Sequence, residues 1–222
     1  MKIFCINLTR ATERKELFTQ QWIEKLQFDI EFFTAFDRRN LDVGEFVFPY
    51  DEAKAIERIK RPLSKGEIAC ATSHCLLLKK ALEEGHEEII VMEDDCTPNG
   101  HITPTEVFEK IAQCKREFPH VKVLIMHEHN GEFEAVSMES KAGFNLLSIA
   151  PFGFQFVWLH KKAMEILLND LSTMCYPADW LWTRRFAPMR VVVNLEVPFG
   201  KHTGTYTYIG NEARSKKRIF IP

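Results

Sequence analysis

The sequence predicts an α/β fold in which a mostly parallel sheet is flanked by helices. Three observations lead to this prediction. Apolar strand-like runs alternate with helical patterns along the first half of the chain. The run Ile89–Met92 is apolar throughout and Val121–Met126 is apolar except for Lys122, which is typical of strands buried on both faces of a sheet. Each run also follows a predicted helix, the order expected when helices connect parallel strands.

The N-terminal part of the chain begins with a predicted strand at Lys2–Asn7. Thr12–Leu26 predicts a helix, because large apolar side chains recur every four residues on one face. Phe28–Phe36 predicts a second strand. The polar stretch Asp37–Arg61 matches neither period, and it receives no assignment.

The clearest predicted helix runs from Ser64 to Glu84. Ser64 and Glu67 have the spacing of a capping box, and Gly85 is a suitable residue to end the helix. The next helix opens with the sequence Thr103-Pro104-Thr105-Glu106, which combines proline at the first helical position with a second capping box. Phe118-Pro119 ends this helix, since proline disfavours the helical conformation at the residue before it.

The second half of the chain is less regular. Phe152–Leu159 predicts an aromatic-rich strand, Lys161–Leu168 a helix, Asp179–Phe186 a short helix and Val191–Leu195 a strand. Gly200–Gly210 is polar and bracketed by glycine, which is typical of a loop that closes over a ligand.

The composition is that of a globular protein with one domain. The chain has 222 residues, of which 45% are hydrophobic and 27% charged, and its net charge of −2 argues against a general nucleic-acid binder. We expect a single domain over residues 1–222.

The cysteines and the chain ends bear on location. The six cysteines are widely spaced and form no CxxC pair, which favours buried thiols in a reducing cytoplasm. No segment has the length and apolarity of a membrane span, and Met1–Leu8 does not match a signal peptide. We therefore expect a cytoplasmic protein. A basic C-terminal tail would allow peripheral contact with the inner face of the cytoplasmic membrane, although a solvated end explains it as well. The tail contains Arg214, Lys216, Lys217 and Arg218.

The acidic tripeptide Glu93-Asp94-Asp95 is the most informative motif. It follows the apolar strand Ile89–Met92 and precedes a predicted proline turn at Thr97–Gly100. In an open α/β sheet, ligands bind at the carboxyl ends of the strands. Carboxylates held together there suit a hard divalent cation, Mn²⁺ or Mg²⁺, bound with a phosphate group. The alternative is a solvated acidic turn.

Basic residues follow the first predicted strand and are expected to face the same crevice as the acidic tripeptide, at the carboxyl ends of the strands. Arg10 and Arg14 come shortly after Asn7, and their guanidinium groups could pair with diphosphate oxygens. A solvated first helical turn is the alternative. Glu67 and His74 share a face of the helix that starts after Ser64, but the residues alone favour a capping role for Glu67 and a core position for His74.

Two groups in the second half suit an acceptor site. His127 and His129 lie on one face of a strand end, where a polar lining of the crevice is favoured over a second metal site. Asp179 lies among large aromatic residues, where partial desolvation would raise its pKa and suit it to act as a base. It could equally cap the helix that follows. Trp180 and Trp182 could receive the apolar face of a sugar ring, or belong to the core.

Four pieces of the sequence, in order, resemble glycosyltransferase family 25, the lipooligosaccharide β-galactosyltransferases. They are Phe4–Leu8 with Arg10 and Arg14, Leu63–Cys70 leading to Ser73-His74, Ile89–Asp95, and Pro177-Ala178-Asp179. The resemblance covers roughly the first hundred residues well and thins after Asp95. It implies a GT-A type fold with a Rossmann-like sheet, a UDP-sugar donor, dependence on Mn²⁺ with Mg²⁺ as the alternative, and inversion at the anomeric carbon. Under this resemblance, residues 1–100 would form the nucleotide-sugar-binding half of the domain and residues 101–222 the acceptor-binding half.

The resemblance also implies roles for individual residues. Glu93 and Asp95 would bind the metal, and Asp179, at the family's Pro-x-Asp position, would be the catalytic base. Trp180, Trp182, His127 and His129 are expected to line the acceptor site from their residue types alone, and the histidine pair is not a feature of the family. Donor-binding roles fall to Asn7, Leu8, Arg10, Arg14, Glu67, Ser73, His74, Asp94 and His202.

The expected reaction is transfer of a hexose, with galactose the first candidate, to a lipid-linked lipopolysaccharide or lipooligosaccharide glycan. Two other classes remain open. A metal-dependent nucleotidyltransferase acting on sugar phosphates would use the same acids but release pyrophosphate. A non-catalytic carbohydrate- or nucleotide-binding module would not need Asp95.

Overall fold

The protein is described by a computed structural model that covers residues 1–41, 48–128, 137–147, 153–171, 173–178, 191–194 and 198–202. Eight of the strands in these ranges form a central sheet, and two form a small separate pair. The strands are β1 (Lys2–Asn7), β2 (Glu31–Thr34), β3 (Glu88–Glu93), β4 (Cys96–Pro98), β5 (Val123–Ile125), β6 (Ser137–Lys141), β7 (Phe144–Leu147), β8 (Phe156–His160), β9 (Val191–Asn194) and β10 (Gly200–His202).

Helices connect these strands. They are α1 (Thr12–Phe18), which continues as a π-helical segment (Thr19–Lys25), then α2 (Arg38–Leu41), α3 (Glu52–Ile59), α4 (Lys65–Glu83), α5 (Pro104–Glu117) and α6 (Lys161–Leu171). No helix within the described ranges is both long and apolar enough to cross a membrane.

The central sheet has the strand order β2-β1-β3-β8-β5-β9-β7-β6. β1 pairs in parallel with β2 and β3, and β5 pairs in parallel with β9. β8 lies antiparallel between β3 and β5, so β3 and β5 still run in the same direction. The predicted α/β fold with a mostly parallel sheet is confirmed. The carboxyl ends of β1, β3 and β5 lie at the same end of the sheet.

The sheet has a hydrophobic core on each face. Alternate residues of β1 point to opposite faces, so Phe4 packs with Leu78 of α4 while Cys5 belongs to the cluster that contains Trp22. α4 and α6 cover the first face, and the π-helical segment and α5 cover the second. This burial on both sides accounts for the continuous apolar character of β1, β3 and β5.

α4 begins and ends as its sequence predicts. The Ser64 side chain accepts a hydrogen bond from the Glu67 amide at 3.2 Å, and the Glu67 carboxylate accepts one from the Ser64 amide at 2.9 Å. Gly85 follows the helix with φ of +76°, and the amides of Gly85 and His86 return to the carbonyls of Leu82 and Ala81. The capped first turn places Gly66, Cys70 and His74 beside the end of β3.

Other elements differ from the sequence prediction. The predicted helix over Thr12–Leu26 changes to π-helical geometry at Thr19, and the unassigned stretch 37–61 contains α2 and α3. Thr97-Pro98 lies in β4 rather than in a turn, because β4 pairs with β10 about one hundred residues later. The start of the predicted loop 200–210 is therefore a strand, and residues 203–210 lie outside the described ranges.

Candidate functional site

A cleft lies where β1 and β3 end side by side. Ile6 of β1 is in register with Glu93 of β3, so the residues that follow each strand are neighbours. The cleft has a volume of about 110 Å³. Its lining comes from the ends of β1 and β3, the turn after β2 and the first half of α4: Ile6, Leu8, Arg10, Arg14, Ala35, Phe36, Arg38, Gly66, Ala69, Cys70, Ser73, His74, Glu93, Asp94 and Asp95. It thus contains eight of the eleven metal-binding and donor-binding residues predicted from sequence: Leu8, Arg10, Arg14, Ser73, His74, Glu93, Asp94 and Asp95.

Asp94 and Asp95 are held by residues that follow β1. The side-chain nitrogen of Asn7, Nδ2, donates a hydrogen bond to Asp94 Oδ2 at 2.7 Å. The Arg14 guanidinium forms salt bridges with both acids, and its distance to Asp95 Oδ2 is 2.9 Å. One guanidinium is therefore shared by two carboxylates that are 8% and 15% exposed, which leaves a net negative charge when both are ionised.

The electrostatics of this acidic group favour a positive ligand. Burial raises the pKa of Asp94 to about 6, and the neighbouring charges of Asp95 and Glu93 add to this effect against the opposing influence of Arg14 and Asn7. Oxygen atoms of carboxylates are the ligands that Mn²⁺ and Mg²⁺ prefer. Asp95, with Glu93 or Asp94 beside it, therefore has donor chemistry that suits such an ion.

Glu93 is directed toward α4 rather than toward Arg14. Its Oε1 lies 3.3 Å from Nε2 of His74, whose ring is almost completely buried. The ring of Phe154 packs against the His74 ring with 4.2 Å between centroids. His74 therefore belongs to the lining of the cleft, and the residue patterns that favoured a purely core position missed this contact.

Arg10 reaches the cleft but is also engaged outside the acidic group. Its Nε donates to Asp37 Oδ2 at 2.8 Å, and Arg39 pairs with the same carboxylate. Burial raises the pKa of Asp37, but the hydrogen bonds from Arg39 and Arg10 outweigh burial and bring the pKa to about 2. Asp37, which the sequence did not single out, thus holds Arg10 beside the cleft and also pairs with the exposed Arg39.

Glu67 and Ser73 make structural contacts that are visible without any ligand. The Glu67 carboxylate caps α4 and pairs with Arg61 through two hydrogen bonds of 2.8 and 2.6 Å. Burial by itself would raise the pKa of Glu67, but the hydrogen bonds from Arg61 and Ser64 outweigh burial and hold the pKa below its usual value. The Ser73 hydroxyl donates to the Ala69 carbonyl at 2.8 Å and accepts from the Phe36 amide at 2.9 Å. These contacts hold the turn after β2 against α4.

His127 follows β5 and is buried away from the cleft lining. The amide of Phe156 donates to its Nδ1 at 3.3 Å, and its backbone bridges to Gly200. It is not among the described residues that line the cleft. The His202 backbone pairs with Cys96, so β10 lies next to the segment that follows Asp95.

Trp22 holds the residue that follows the acidic tripeptide Glu93-Asp94-Asp95, a role that its sequence context did not indicate. Its ring is fully buried, and Nε1 donates to the Cys96 carbonyl at 2.8 Å. The apolar spacing of the helix predicts the burial of Trp22, but only the packed structure identifies its partner.

Some predicted residues lie outside the described ranges. They are the proposed acceptor or catalytic residues His129, Asp179, Trp180 and Trp182, and the residues of the basic tail.

Residues 1–182 match the family described as Glycosyltransferase family 25 (LPS biosynthesis protein). Because this match extends over most of the chain, the chain belongs to glycosyltransferase family 25, which confirms the resemblance seen in the sequence. The chain is 36% identical over 99 residues to a Glycosyltransferase 25 family member of Aedes aegypti, and 33% identical over 99 residues to one of Anopheles gambiae. Each alignment covers 42% of this chain, which spans only 16% of the length of either relative.

Two solved structures share the fold. One is a glycosyltransferase involved in the glycosylation of the major capsid of PBCV-1, with a TM-score of 0.50, 12% identity and 93% of each chain covered. The other is a UDP-glucose pyrophosphorylase complexed with UDP-glucose, with a TM-score of 0.50, 11% identity, and 92% of this chain and 93% of that chain covered. At this level of identity the similarity concerns the fold alone, and it confirms the predicted GT-A type architecture.

Proposed function

We propose that this protein is a metal-dependent inverting glycosyltransferase that moves a hexose from a UDP-sugar to a glycan acceptor. The observation that carries the proposal is the group of Asp94 and Asp95, held by Asn7 and Arg14 at the carboxyl end of β3. Membership of glycosyltransferase family 25 supports the reaction class. The family description as an LPS biosynthesis protein supports a lipid-linked lipopolysaccharide or lipooligosaccharide glycan as the proposed acceptor. Galactose is the proposed sugar on the sequence resemblance alone.

The residues of the cleft would divide the work of donor binding. Asp95, assisted by Glu93 or Asp94, would hold Mn²⁺ or Mg²⁺, which when bound neutralises the charge of a diphosphate leaving group. Arg14 and Arg10 lie beside the acids and would pair with diphosphate oxygens. Leu8 and the turn after β2 would form the wall against the nucleoside.

Proton removal from the acceptor needs a separate base. The metal-binding acids lie on the side of the leaving group, so they cannot also face the attacking hydroxyl. Asp179, outside the described ranges, is the proposed base, with Trp180 and Trp182 as acceptor contacts. The proposed place of action is the inner face of the cytoplasmic membrane, where the basic tail would contact anionic lipid.

Calorimetry with UDP tests the donor site. Binding should require Mn²⁺ and be largely lost in Asp95→Ala. The matched control is Glu109→Gln, which alters an exposed acid on α5 and should bind like the wild type. Equal UDP affinity with and without the metal would contradict the proposal.

Product analysis tests the reaction class. Incubation with UDP-galactose, UDP-glucose and UDP-N-acetylhexosamines and Mn²⁺ should release UDP, most rapidly from UDP-galactose. Release of pyrophosphate from a nucleoside triphosphate without turnover of any UDP-sugar would instead assign the protein to the nucleotidyltransferases. Binding of UDP-sugars without either reaction would indicate a non-catalytic module.

Substitution of Asp179 tests the base. Asp179→Asn should retain UDP and Mn²⁺ binding while transfer falls by about a hundredfold or more, the usual effect of losing general-base catalysis. Asparagine caps a helix nearly as well as aspartate. Near-wild-type transfer by Asp179→Asn would therefore show that the residue only caps a helix.

A further inference from the structure

Three side chains with different donor atoms meet on one side of the cleft. They are Cys70 and His74 of α4 and Glu93 at the end of β3. The Cys70 sulfur, a His74 ring nitrogen and a Glu93 oxygen all lie within 4.8 Å of one another. This group contains a thiol and an imidazole, so its chemistry differs from that of the purely acidic group at Asp94 and Asp95.

The spacing of these atoms suits a tetrahedral metal ion. Zinc binds sulfur at about 2.3 Å and nitrogen or oxygen at about 2.0–2.2 Å, which places pairs of ligand atoms about 3.4–3.6 Å apart. The distance between His74 Nε2 and Glu93 Oε1 is 3.3 Å. The Cys70 sulfur lies within 4.8 Å of both atoms, so a displacement of little more than about 1 Å would bring it into the same range.

The structure around the three residues holds them in place. Cys70 and His74 are four residues apart on α4, so their side chains leave the same face of the helix. The Phe154 ring packs against the His74 ring, which restricts the direction of its nitrogen atoms. Glu93 is the last residue of β3, a strand paired on both sides. All three residues line the cleft, so an ion and a fourth ligand can reach them.

We infer that Cys70, His74 and Glu93 form a binding site for a borderline-soft divalent cation, Zn²⁺ or its spectroscopic substitute Co²⁺, next to the acidic group. Thiolate and imidazole ligands select such ions over Mn²⁺ and Mg²⁺, which prefer oxygen. Three protein ligands leave a fourth position for water or for a phosphate oxygen. Binding releases the thiol proton of Cys70 to solvent, because the thiolate is the metal ligand.

This site shares Glu93 with the acids proposed for Mn²⁺ but does not include Asp94 or Asp95. Asp94 and Asp95 pair with Arg14, whereas Glu93 faces His74. The inference does not depend on the proposed transferase reaction, since it needs only the three donor atoms and their spacing. Occupation by zinc would take Glu93 away from any Mn²⁺ held by Asp95, so zinc should weaken Mn²⁺-dependent UDP binding.

Titration of the reduced, metal-free protein with Co²⁺ tests the site. The wild type should bind one equivalent with an intense near-ultraviolet sulfur-to-cobalt band and the visible absorption of tetrahedral Co²⁺, and Zn²⁺ should displace both signals. The other five cysteines are buried, so Cys70 is the thiol that this band would report. Cys70→Ser should remove the sulfur band, and His74→Gln should weaken Co²⁺ binding by about tenfold or more.

Two controls separate this site from its neighbours. His86→Gln alters a histidine that lies 3.2 Å from the Glu84 carboxylate without a thiol in the group, and it should titrate like the wild type. Asp95→Asn should lose Mn²⁺-dependent UDP binding and keep the sulfur band. Absence of the band in the wild type, or an unchanged band in a folded Cys70→Ser variant, would overturn the inference. A failure of UDP binding alone would contradict only the proposed function.

Discussion

Arg14 offers a direct test of the electrostatics of the cleft, because its one guanidinium forms salt bridges with two carboxylates. Replacement of Arg14 by methionine keeps much of the side-chain volume but removes the charge. Loss of one partner from a buried ion pair costs about 3–5 kcal/mol, whereas an exposed pair is worth at most about 1 kcal/mol. Arg14 is 18% exposed and its partners 8% and 15%, which places the pair between these limits.

Proton uptake reduces the expected loss of stability. Since the pKa of Asp94 is already raised to about 6, mainly by burial, Asp94 can become neutral when Arg14 is removed. We therefore expect Arg14→Met to lower the free energy of unfolding by about 2 kcal/mol at neutral pH in the absence of metal. With a urea dependence of about 2 kcal/mol per molar, the unfolding midpoint should fall by about 1 M.

Mn²⁺ should reverse this loss if Asp95 belongs to a metal site. A ligand at one hundred times its dissociation constant stabilises the folded state by about 2.7 kcal/mol. Because Mn²⁺ would no longer compete with the guanidinium, the gain should be larger in Arg14→Met than in the wild type. Urea unfolding followed by circular dichroism, with and without Mn²⁺, measures both quantities.

The matched control is Arg39→Met, which removes an arginine that is 66% exposed and pairs with Asp37. An exposed pair contributes little, so this variant should lose less than about 1 kcal/mol and show no additional response to Mn²⁺. The reasoning would be refuted if Arg14→Met lost no more stability than Arg39→Met. An equal loss with and without Mn²⁺ would refute the link to the metal.

Three further substitutions test the surroundings of the cleft. Trp22→Phe should lower the free energy of unfolding by about 2 kcal/mol, since it loses both ring volume and the hydrogen bond to the Cys96 carbonyl, and an unchanged urea midpoint would contradict that role. Ser64→Ala should cost about 1 kcal/mol by removing the cap of α4, while Ser64→Asp should retain most of the stability in the same assay. The pKa of Asp37 is about 2 because the hydrogen bonds from Arg39 and its neighbours outweigh burial, so ionised Asp37 stabilises the fold above its ordinary pKa of 3.8. The stability difference between wild type and Asp37→Asn should therefore be constant above about pH 5 and shrink as the pH falls to 2, and a difference that stays constant down to pH 2 would contradict the shifted pKa.

The site was partly accessible from the sequence because some of its signals are local. The apolar run before Glu93 predicts a strand that ends at the acids, and that strand is β3. Arg10 and Arg14 follow the first strand, and parallel pairing of β1 with β3 brings them to the same edge. The shared position at the end of two neighbouring parallel strands follows from general α/β topology.

The partners within the site were not accessible in this way. Asn7 and Asp94 are 87 residues apart in the chain, and nothing in either segment specifies that their side chains form a hydrogen bond. The Cys70, His74 and Glu93 group was missed because the sequence favoured a buried thiol for Cys70 and a core position for His74. The contact of His74 with Glu93 depends on how α4 packs beside the end of β3.

The sequence by itself determined the types of the main elements, the boundaries of α4, the acids after β3 and the family. These features depend on residues a few positions apart, through helical hydrogen bonds, caps and the period of apolar side chains. Only the tertiary structure decided that β8 lies between β3 and β5, that Arg14 is shared by two acids, and that Trp22 supports Cys96. Those arrangements arise because the two faces of the sheet must both be buried, and the packing that achieves this burial sets which distant side chains meet.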